Sequence, residues 1–540
     1  MACAGTVHAV RLQSPRSFEE IALRVNRRSF LGTCLAGAVL PSSACHASAV
    51  VSQFRPESFG AAGDGRSDDY DAFVKLANAV NAARGGTVVL SPGRTYHIGR
   101  FVAARNGVTG FAFRDCDGLA IEGNGATLSI KGDFHRADKG TRGLPGLRFD
   151  DCRRVTVRNV QLVGNVDRTT RVKALGEATT HGLLFAGCSD VLVEGVVARH
   201  FAGDGMYIRE GNRAGPDGKY PASRSFTVRN SRFLYNARQG LSVIQLRGAT
   251  FENCEFSYTG YVDSRGTKGR YGHHAPGAGV DIEPNRTTQS PHPVDILTGD
   301  IRFRGCRMIG NHGAAFLACR YSPRHRLHTI EQISLESCHL ECDQGSPSRY
   351  GFIFDVPHGI VSGSTLQMND KTAYLGWSRQ SPANFQFIRN VVRGRNPGAS
   401  RPFFILRRTA GSPTIENNQF IGEHRQPKPS RDRGSVVQLN HPHATVRDNF
   451  MFLPAAAYPA SSGQGVMPAV LADVRLMESN RYQTNLRADT GAFGVSYGRA
   501  CIARDESFTG TRPGQGDSLR PIELESERPF AHDSRVPWSK

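Results

Sequence analysis

The sequence predicts an all-β solenoid built from stacked coils. Six glycines, each followed by apolar residues one and three positions later, recur at intervals of 23 to 39 residues: Gly182, Gly205, Gly240, Gly279, Gly313 and Gly351. Apolar residues at alternate positions are typical of a strand with one buried face. A short strand unit that repeats with loops of variable length indicates coils stacked along one axis.

The outward face of these coils is the predicted site of chemistry. The residues two positions after each glycine are Leu184, Tyr207, Ser242, Asp281, Ala315 and Ile353. Those four positions after it are Ala186, Arg209, Ile244, Glu283, Leu317 and Asp355. Those directly before it are His181, Asp204, Gln239, Ala278, His312 and Tyr350. Ionisable groups concentrate in the middle coils, which is hard to explain as a mere coating.

Cysteines support the same stacking. The chain has 12 cysteines, and several lie just before an alternating strand: Cys116, Cys152, Cys188, Cys254, Cys306 and Cys338. Cysteine packs as a small hydrophobe, so we expect buried free thiols along the inside of the coils. Their spacing fits no zinc motif, and no metal site is predicted.

The N-terminus resembles a twin-arginine export signal. Arg27 and Arg28 precede a short, weakly apolar stretch and a small-residue cleavage site that ends at Ala49. Residues 1–49 are therefore predicted to be a signal peptide handled by the twin-arginine export machinery. The mature protein is expected to be periplasmic or secreted, without a stable membrane anchor.

The charge indicates a polyanionic partner. The formal net charge is +19, and a basic surface attracts acidic polysaccharide, nucleic acid or an anionic membrane. The alternative is a solvated basic surface with no such partner. Because export is predicted, an acidic polysaccharide is the expected partner and no nucleic acid is expected.

The region after the leader carries the first resemblance to a family. This region begins with Gly63-Asp64-Gly65. A helical pattern follows from Tyr70 to Ala83, capped by Asp68 or Asp69, and then a strand-turn-strand pattern. This stretch resembles the start of the pectate-lyase-like, rhamnogalacturonase/epimerase-like superfamily of right-handed parallel β-helices. The resemblance implies an N-terminal cap over residues 50–107 and coils of the parallel β-helix over residues 108–455. Residues 456–540 read as an irregular region with a polar tail.

Asp281 and Glu283 are the leading catalytic candidates. They are two residues apart on one predicted strand, so they share a face about 6.5–7 Å apart at Cα. Two such carboxyl groups can act as general acid and base. Asp204 and His312 complete the catalytic candidates. The alternative is that the carboxylates serve turns and ion pairs with Arg238 or Arg209.

Basic and aromatic residues are candidates for substrate binding. Arg238 could hold a substrate carboxylate with two hydrogen bonds. The other candidates are Tyr207, His181 and Arg209 on the coils and Lys268, Arg270 and His273 in the insertion before Asp281. Their composition would also suit single-stranded nucleic acid.

The segment from Arg238 to Asn285 resembles bacterial and phage β-helix proteins related to family 28 glycoside hydrolases. That resemblance implies a polysaccharide substrate, although the polygalacturonase motif set and the Asp-Pro-His signature of alginate epimerases are absent. Hydrolysis of an acidic, uronate-containing polysaccharide is the predicted activity, and it requires no cofactor. The alternatives are a pectate-lyase-like lyase or an epimerase, for which Ca²⁺ held by the carboxylates is an option, and a non-catalytic glycan-binding protein.

Overall fold

The chain folds as a right-handed parallel β-helix. The computed structural model describes residues 52–99, 111–130, 146–166, 180–216, 218, 220–261, 276–284, 296–319, 328–343, 348–376, 384–395, 402–407, 411–423, 437–452, 470–484, 495–497, 501–510 and 522–523. Within these ranges the strands form one 26-stranded and one 16-stranded sheet. The predicted leader, residues 1–49, lies outside the described residues.

One coil shows the repeating unit. Strands Leu183–Ala186, Ser189–Glu194 and Val197–Arg199 follow one another. Gly187 (φ 64°) and Gly195 (φ 63°) lie at the two corners between them, where a left-handed backbone favours glycine. Each strand pairs in parallel with the equivalent strands of the coils before and after it. The coils therefore form three stacks of strands, named the first, second and third stack in the order in which the coil visits them.

The strand bounds follow the three stacks. The first stack contains Phe113–Arg114, Leu147–Asp150, Leu183–Ala186, Asp204–Arg209, Gln239–Val243, Val280–Ile282, Phe316–Ala318, Tyr350–Phe354, Thr372–Leu375, Phe404–Leu406, Val437–Arg447, Val470–Glu478 and Val495–Tyr497. The second contains Gln53–Phe54, Gly86–Val89, Asp117–Glu122, Arg153–Arg158, Ser189–Glu194, Ser223–Arg229, Leu246–Glu252, Ile296–Arg304, His328–Glu336, Ile360–Ser362, Gln386–Ile388, Thr414–Glu416, the later parts of Val437–Arg447 and Val470–Glu478, and Ile502–Arg504. The third contains Asp64–Asp68, Thr95–Ile98, Thr127–Ile130, Gln161–Val163, Val197–Arg199, Arg232–Leu234, Glu255–Ser257, Arg307–Asn311, His339–Cys342, Thr365–Asn369, Val391–Arg395, Gln419–Glu423, Phe450–Phe452, Arg481–Thr484, Ser507–Gly510 and Ile522–Glu523.

The recurring glycine has a steric cause. A Cβ on Gly182 would lie 2.5 Å from the carbonyl oxygen of Gly205, and one on Gly240 would lie 2.6 Å from that of Gly279. Real Cβ atoms do not approach a backbone oxygen so closely, so a side chain at these positions would force adjacent coils apart. Gly146 belongs to the same column, because its Cβ would meet the carbonyl oxygen of Gly182 at 2.7 Å.

The interior is a stack of side chains that repeat from coil to coil. Phe149 stacks on Phe113 and Phe185 with ring centroids 5.5 and 4.9 Å apart. The predicted thiols are free and buried, as the sequence indicated, and the described residues add further buried free cysteines: Cys319, Cys342 and Cys501. Identical side chains at coil spacing pack a continuous core.

The N-terminal cap is built as the sequence indicated. A helix runs from Tyr70 to Ala83. Neither this helix nor any other in the described part of the chain is long and apolar enough to cross a membrane. Asp68 accepts a hydrogen bond from the Tyr70 N–H at 3.1 Å. Asp69 instead accepts from the backbone N–H groups of Ala62 (2.6 Å) and His97 (3.1 Å). Asp69 therefore occupies the N-cap position and ties the helix start to its neighbours, whereas the side chain of Asp68 satisfies the first helical N–H.

The coils continue past residue 455, where the sequence suggested irregular structure. Val470–Glu478 and Arg481–Thr484 pair in parallel with the preceding coil, and Ser507–Gly510 follows in the third stack. The repeat is obscured in the sequence because a long segment, residues 453–469, separates Phe450–Phe452 from Val470–Glu478. Phe508 then pairs antiparallel with Ile522.

Buried asparagines join the C-terminal coils. Asn418 donates its backbone N–H to Oδ1 of Asn449 (2.9 Å), and Asn449 donates its own to Oδ1 of Asn480 (3.0 Å). Glu506 ends the series, since it accepts from the Asn480 backbone N–H at 3.2 Å and from the Tyr482 hydroxyl at 2.7 Å. This ladder satisfies backbone groups at a buried corner.

Replacing Asn449 by alanine is expected to destabilise the C-terminal coils. It removes the acceptor of both the backbone and side-chain N–H groups of Asn418. Each buried donor left unsatisfied costs roughly 1–3 kcal/mol, so the loss should reach about 2 kcal/mol or more. Thermal unfolding measures it, with Asn440→Ala, an exposed asparagine of the same region, as the control. Equal midpoints for the two variants would contradict the ladder's role.

Candidate functional site

The outward column of the first stack brings the predicted polar residues into register. Cα partners follow one another from coil to coil in the order Arg148, Leu184, Tyr207, Ser242, Asp281, Leu317 and Ile353. The prediction was wrong at one coil, where Leu317 and not Ala315 stands beside Asp281. The coil after Asn311 enters the stack two residues later, so Ala315, not Gly313, lies opposite Gly279.

The same slip changes the neighbouring column. Cys319, not Leu317, lies between Glu283 and Asp355, because its N–H bonds to the carbonyl of Ile282 and the Asp355 N–H bonds to that of Ala318. His312 consequently precedes the column it was predicted to join. Its backbone N–H donates to the Thr259 carbonyl at 3.0 Å, and its ring lies 5.7 Å from that of Tyr261.

A buried ion pair forms the first part of the site. Arg238 donates from Nη1 to Oδ2 of Asp204 at 2.8 Å. Nδ1 of His181 lies 3.3 Å from the same oxygen, and the His181 ring stacks on Tyr207 with centroids 4.7 Å apart. Asp204 is fully buried and Arg238 is 8% exposed, so both charges are withdrawn from water and held by each other.

The ion pair decides the protonation state of Asp204. Burial raises its pKa, but the Arg238 guanidinium and the hydrogen bond with His181 outweigh burial, and the pKa lies below its ordinary range. Burial also raises the pKa of Tyr207 to about 12. At neutral pH Asp204 is therefore an anion and Tyr207 a neutral phenol, which makes Asp204 unsuited to act as a general acid.

A glutamine connects this pair to the next carboxylate. Nη1 of Arg238 also donates to Oε1 of Gln239 at 2.9 Å, and Nε2 of Gln239 donates to Oδ2 of Asp281. Gln239 is fully buried and Asp281 is 2% exposed. Arg238 was predicted to hold a substrate carboxylate. Its Nη1 instead donates to two groups of the protein, Asp204 and Gln239.

Three carboxylates lie around one thiol in the second part of the site. Burial raises the pKa of Cys319 well above its ordinary value, and the negative charges of Asp281, Glu283 and Asp355 raise it further. Asp355 is fully buried, whereas Glu283 is half-buried. Cys319 is accordingly a neutral thiol at neutral pH.

A further polar network lies on the N-terminal side. Arg209 donates to the Glu210 carbonyl at 3.0 Å and to Oδ1 of Asn212 at 2.5 Å. Asn212 in turn donates to Asp150 at 2.9 Å, and Nε of Arg148 lies 2.9 Å from the same carboxylate. Arg209 is only 8% exposed, so it positions this network as well as contributing positive charge beside Tyr207.

The structure therefore gathers most of the predicted site residues in one region. Asp204, His181, Tyr207 and Arg238 form one part, and Asp281 with Glu283 the other. Lys268, Arg270 and His273 lie outside the described residues. Among the described residues no group of three or more His, Cys, Asp or Glu side chains is arranged to hold a metal ion.

Sequence reasoning missed Gln239, Cys319 and Asp355 as members of the site. Gln239 and Asp355 stood in the predicted columns, but an amide beside an arginine and an aspartate at a strand end gave no separate signal. Cys319 was hidden by the two-residue slip. A register anchored on the apolar pair Phe316 and Phe352, which are Cα partners, would have found it.

Comparison with known proteins gives distant relatives. No family model matches the chain. It is 23% identical over 333 residues to depolymerase 1, capsule KN3-specific, of Klebsiella phage KN3-1, an alignment that covers 58% of this chain and 35% of that protein. It is 26% identical over 272 residues to the uncharacterised protein YclG of Bacillus subtilis, covering 47% of this chain and 44% of that one. The chain thus spans less than half the length of either relative.

Solved structures give a similar result. The A-module of the Azotobacter vinelandii mannuronan C-5 epimerase AlgE4 aligns with a TM-score of 0.49 and 16% identity, over 74% of this chain and 95% of that one. An exopolygalacturonase from Thermotoga maritima aligns with a TM-score of 0.37 and 12% identity, over 87% and 94%. With TM-scores below 0.5, these likenesses assign neither a residue nor a reaction to this chain.

Asp204→Asn is expected to destabilise the protein strongly at neutral pH. The change leaves the Arg238 guanidinium buried without its counter-charge, which costs about 3–5 kcal/mol. Because the folded-state pKa of Asp204 is lowered, the ion pair's contribution is present above the unfolded value of about 3.9 and is lost as the pH falls through the folded value. The deficit should therefore shrink in acid.

Denaturant unfolding of wild type and variant at several pH values measures this deficit. Glu416→Gln is the matched control, since it breaks an Arg–carboxylate pair of similar length (2.9 Å) at the surface, where such pairs contribute little. A deficit for Asp204→Asn that is small, or that grows in acid, would contradict the assignment.

Proposed function

We propose that this protein is an exported enzyme that cleaves glycosidic bonds of an acidic, uronate-containing polysaccharide on the outward face of the first stack. The observation that carries the proposal is the placement of Asp281 and Glu283 on one coil of that face, with Asp355 two coils further along, beside the basic and aromatic side chains of the preceding coils. A solenoid face that offers one polar column per coil suits an extended polymer. The net charge of +19 favours an acidic one.

Hydrolysis assigns different roles to the carboxyl groups. One member of the Asp281 and Glu283 pair protonates the leaving glycosidic oxygen, and the other removes a proton from the attacking water. Asp204 is excluded from the acid role because Arg238 holds it ionised. It instead fixes the positions of Arg238 and His181, so that the face keeps its shape.

The curated relative supports the substrate class. The Klebsiella phage protein is named as a capsule-specific depolymerase, and the alignment covers 58% of this chain. A capsule depolymerase acts on a polysaccharide, which agrees with the chemistry of the face. Because the alignment covers 35% of that protein, the choice of polymer remains part of the proposal, as do twin-arginine export and a periplasmic or secreted location.

One observation favours a second reaction, β-elimination by a polysaccharide lyase: Arg209 and Arg238 place positive charge on the coils before that of Asp281, where it can stabilise the charge that develops on the uronate. His181 is not the base, because its Nδ1 accepts the backbone N–H of Asp204 at 3.1 Å and the neutral ring therefore carries its proton on Nε2. In this reaction a carboxylate of the Asp281 and Glu283 pair would take the proton beside the uronate carboxyl group, a carbon–carbon double bond would form, and the glycosidic oxygen would leave.

A panel of uronate-containing polysaccharides tests these reactions. The mature protein is incubated with each polymer, with and without calcium, and new reducing ends are followed beside the ultraviolet absorbance of unsaturated uronates. Hydrolysis predicts reducing ends alone, and a lyase predicts both signals. Binding to a polymer without either signal would contradict catalysis and support a glycan-binding protein.

Asp281→Asn and Glu283→Gln are each expected to lower the rate of cleavage by about 10²–10⁴-fold, because each removes a proton-transfer group. Initial rates of reducing-end release measure the loss. Asp300→Asn is the matched control, since it neutralises an exposed aspartate of the second stack and should keep the wild-type rate. Unchanged rates in both site variants would exclude the pair from the reaction.

A further inference from the structure

Gln239 lies at the joint between the two parts of the site. Its Oε1 accepts from Arg238 at 2.9 Å, and its Nε2 donates to Oδ2 of Asp281. Arg238 also donates to Asp204 at 2.8 Å. A hydrogen-bonded chain thus runs from Asp204 through Arg238 and Gln239 to Asp281. Asp204 and Gln239 are Cα partners on adjacent coils, and Asp281 belongs to the next coil.

Chemistry fixes which way the amide of Gln239 points. Arginine carries donors and no acceptor, so the group facing Nη1 of Arg238 must be the amide oxygen. The NH₂ group of Gln239 therefore faces Asp281. The two ends of the amide are not interchangeable here, and full burial of Gln239 leaves no water to substitute for either partner.

The orientation of the amide determines what Asp281 can do. An amide N–H needs a lone pair on Oδ2, so Oδ2 of Asp281 stays an acceptor whether the carboxyl group is ionised or not. The exchangeable proton of Asp281 is then confined to Oδ1. A hydrogen bond to the ionised form also favours that form, so Gln239 influences the acidity of Asp281 as well as its rotamer.

We infer that Gln239 is a positioning residue that fixes the rotamer of Asp281, keeps its Oδ2 as a hydrogen-bond acceptor and links it, through Arg238, to Asp204. The inference rests on the proposed function, in which Asp281 transfers a proton. Gln239 itself touches protein groups on both sides. Its role is to hold that carboxyl group in one rotamer and to favour its ionised form.

A double-mutant cycle tests the hydrogen-bonded bridge from Arg238 through Gln239 to Asp281. It measures folding stability and needs no enzymatic activity. Gln239→Glu places a carboxylate against Asp281, so the thermal unfolding midpoint should fall markedly at neutral pH. Asp281→Asn should cost little, since its amide oxygen can still accept from Gln239. In the double variant the residues exchange roles: the carboxylate at 239 accepts from Arg238 and from the amide at 281. The midpoint should then return close to that of Asp281→Asn.

The cycle has clear outcomes. Recovery in the double variant, including recovery of soluble folded protein where Gln239→Glu alone does not fold, supports the bridge. If the decreases in unfolding midpoint of the two single variants simply add in the double variant, the bridge is overturned, because contacting residues give non-additive effects and independent ones do not. A double variant that fails to fold would overturn it too.

The pH dependence of cleavage tests the positioning role. Gln239→Met keeps the length of the side chain but removes both polar partners, so the pKa of Asp281 should rise. The limb of the pH–rate profile that disappears in Asp281→Asn should then move upward by about one pH unit or more. A uniformly lower rate with the limb unmoved would mean a merely structural glutamine.

The unfolding cycle and the cleavage measurements together separate failure of this inference from failure of the proposed function. A wild-type protein inactive on every polymer would end the proposed reaction, and the unfolding cycle would still decide the bridge. An active wild type whose cycle is additive would keep the reaction and remove Gln239 from it.

Discussion

The register between adjacent coils is the constraint on which the rest of the structure depends. Parallel strands lie about 4.8 Å apart, and the first stack keeps this spacing through a column of glycines whose Cβ atoms would collide with the next coil. Every outward side chain is placed by that register. Tyr207, Ser242 and Asp281 stand in one row because Gly205, Gly240 and Gly279 do.

The same constraint explains what the sequence could reveal. Alternating residues and recurrent glycines reflect backbone spacing, so the fold, the capping helix, the buried thiols and most of the outward column were predictable. The slip at Ala315 marks the limit of that reasoning. At that coil Ala315 occupies the position that glycine holds in the other coils. The sequence pattern therefore placed Gly313, two residues earlier, in the glycine column.

Side-chain pairing could not be predicted in the same way. Whether Arg238 faces a substrate or Asp204 depends on rotamers and on burial, which periodicity does not report. The structure shows Nη1 of Arg238 bound to Asp204 and Gln239. The positive charge of the site is thus partly neutralised from within, and the three carboxylates around Cys319 emerge as a separate group. The C-terminal coils were missed for another reason: the long segment 453–469 separates Val470–Glu478 from the preceding coil.

In the proposed function, an acidic polysaccharide lies along the first stack and reacts at Asp281 and Glu283. The most direct measurement is a crystal structure of the Asp281→Asn protein with a uronate oligosaccharide taken from the polymer that the wild type cleaves. We expect sugar units along the first stack, with a glycosidic oxygen within hydrogen-bond distance of residue 281 or Glu283. An oligosaccharide bound on the second or third stack, away from these carboxylates, would contradict it.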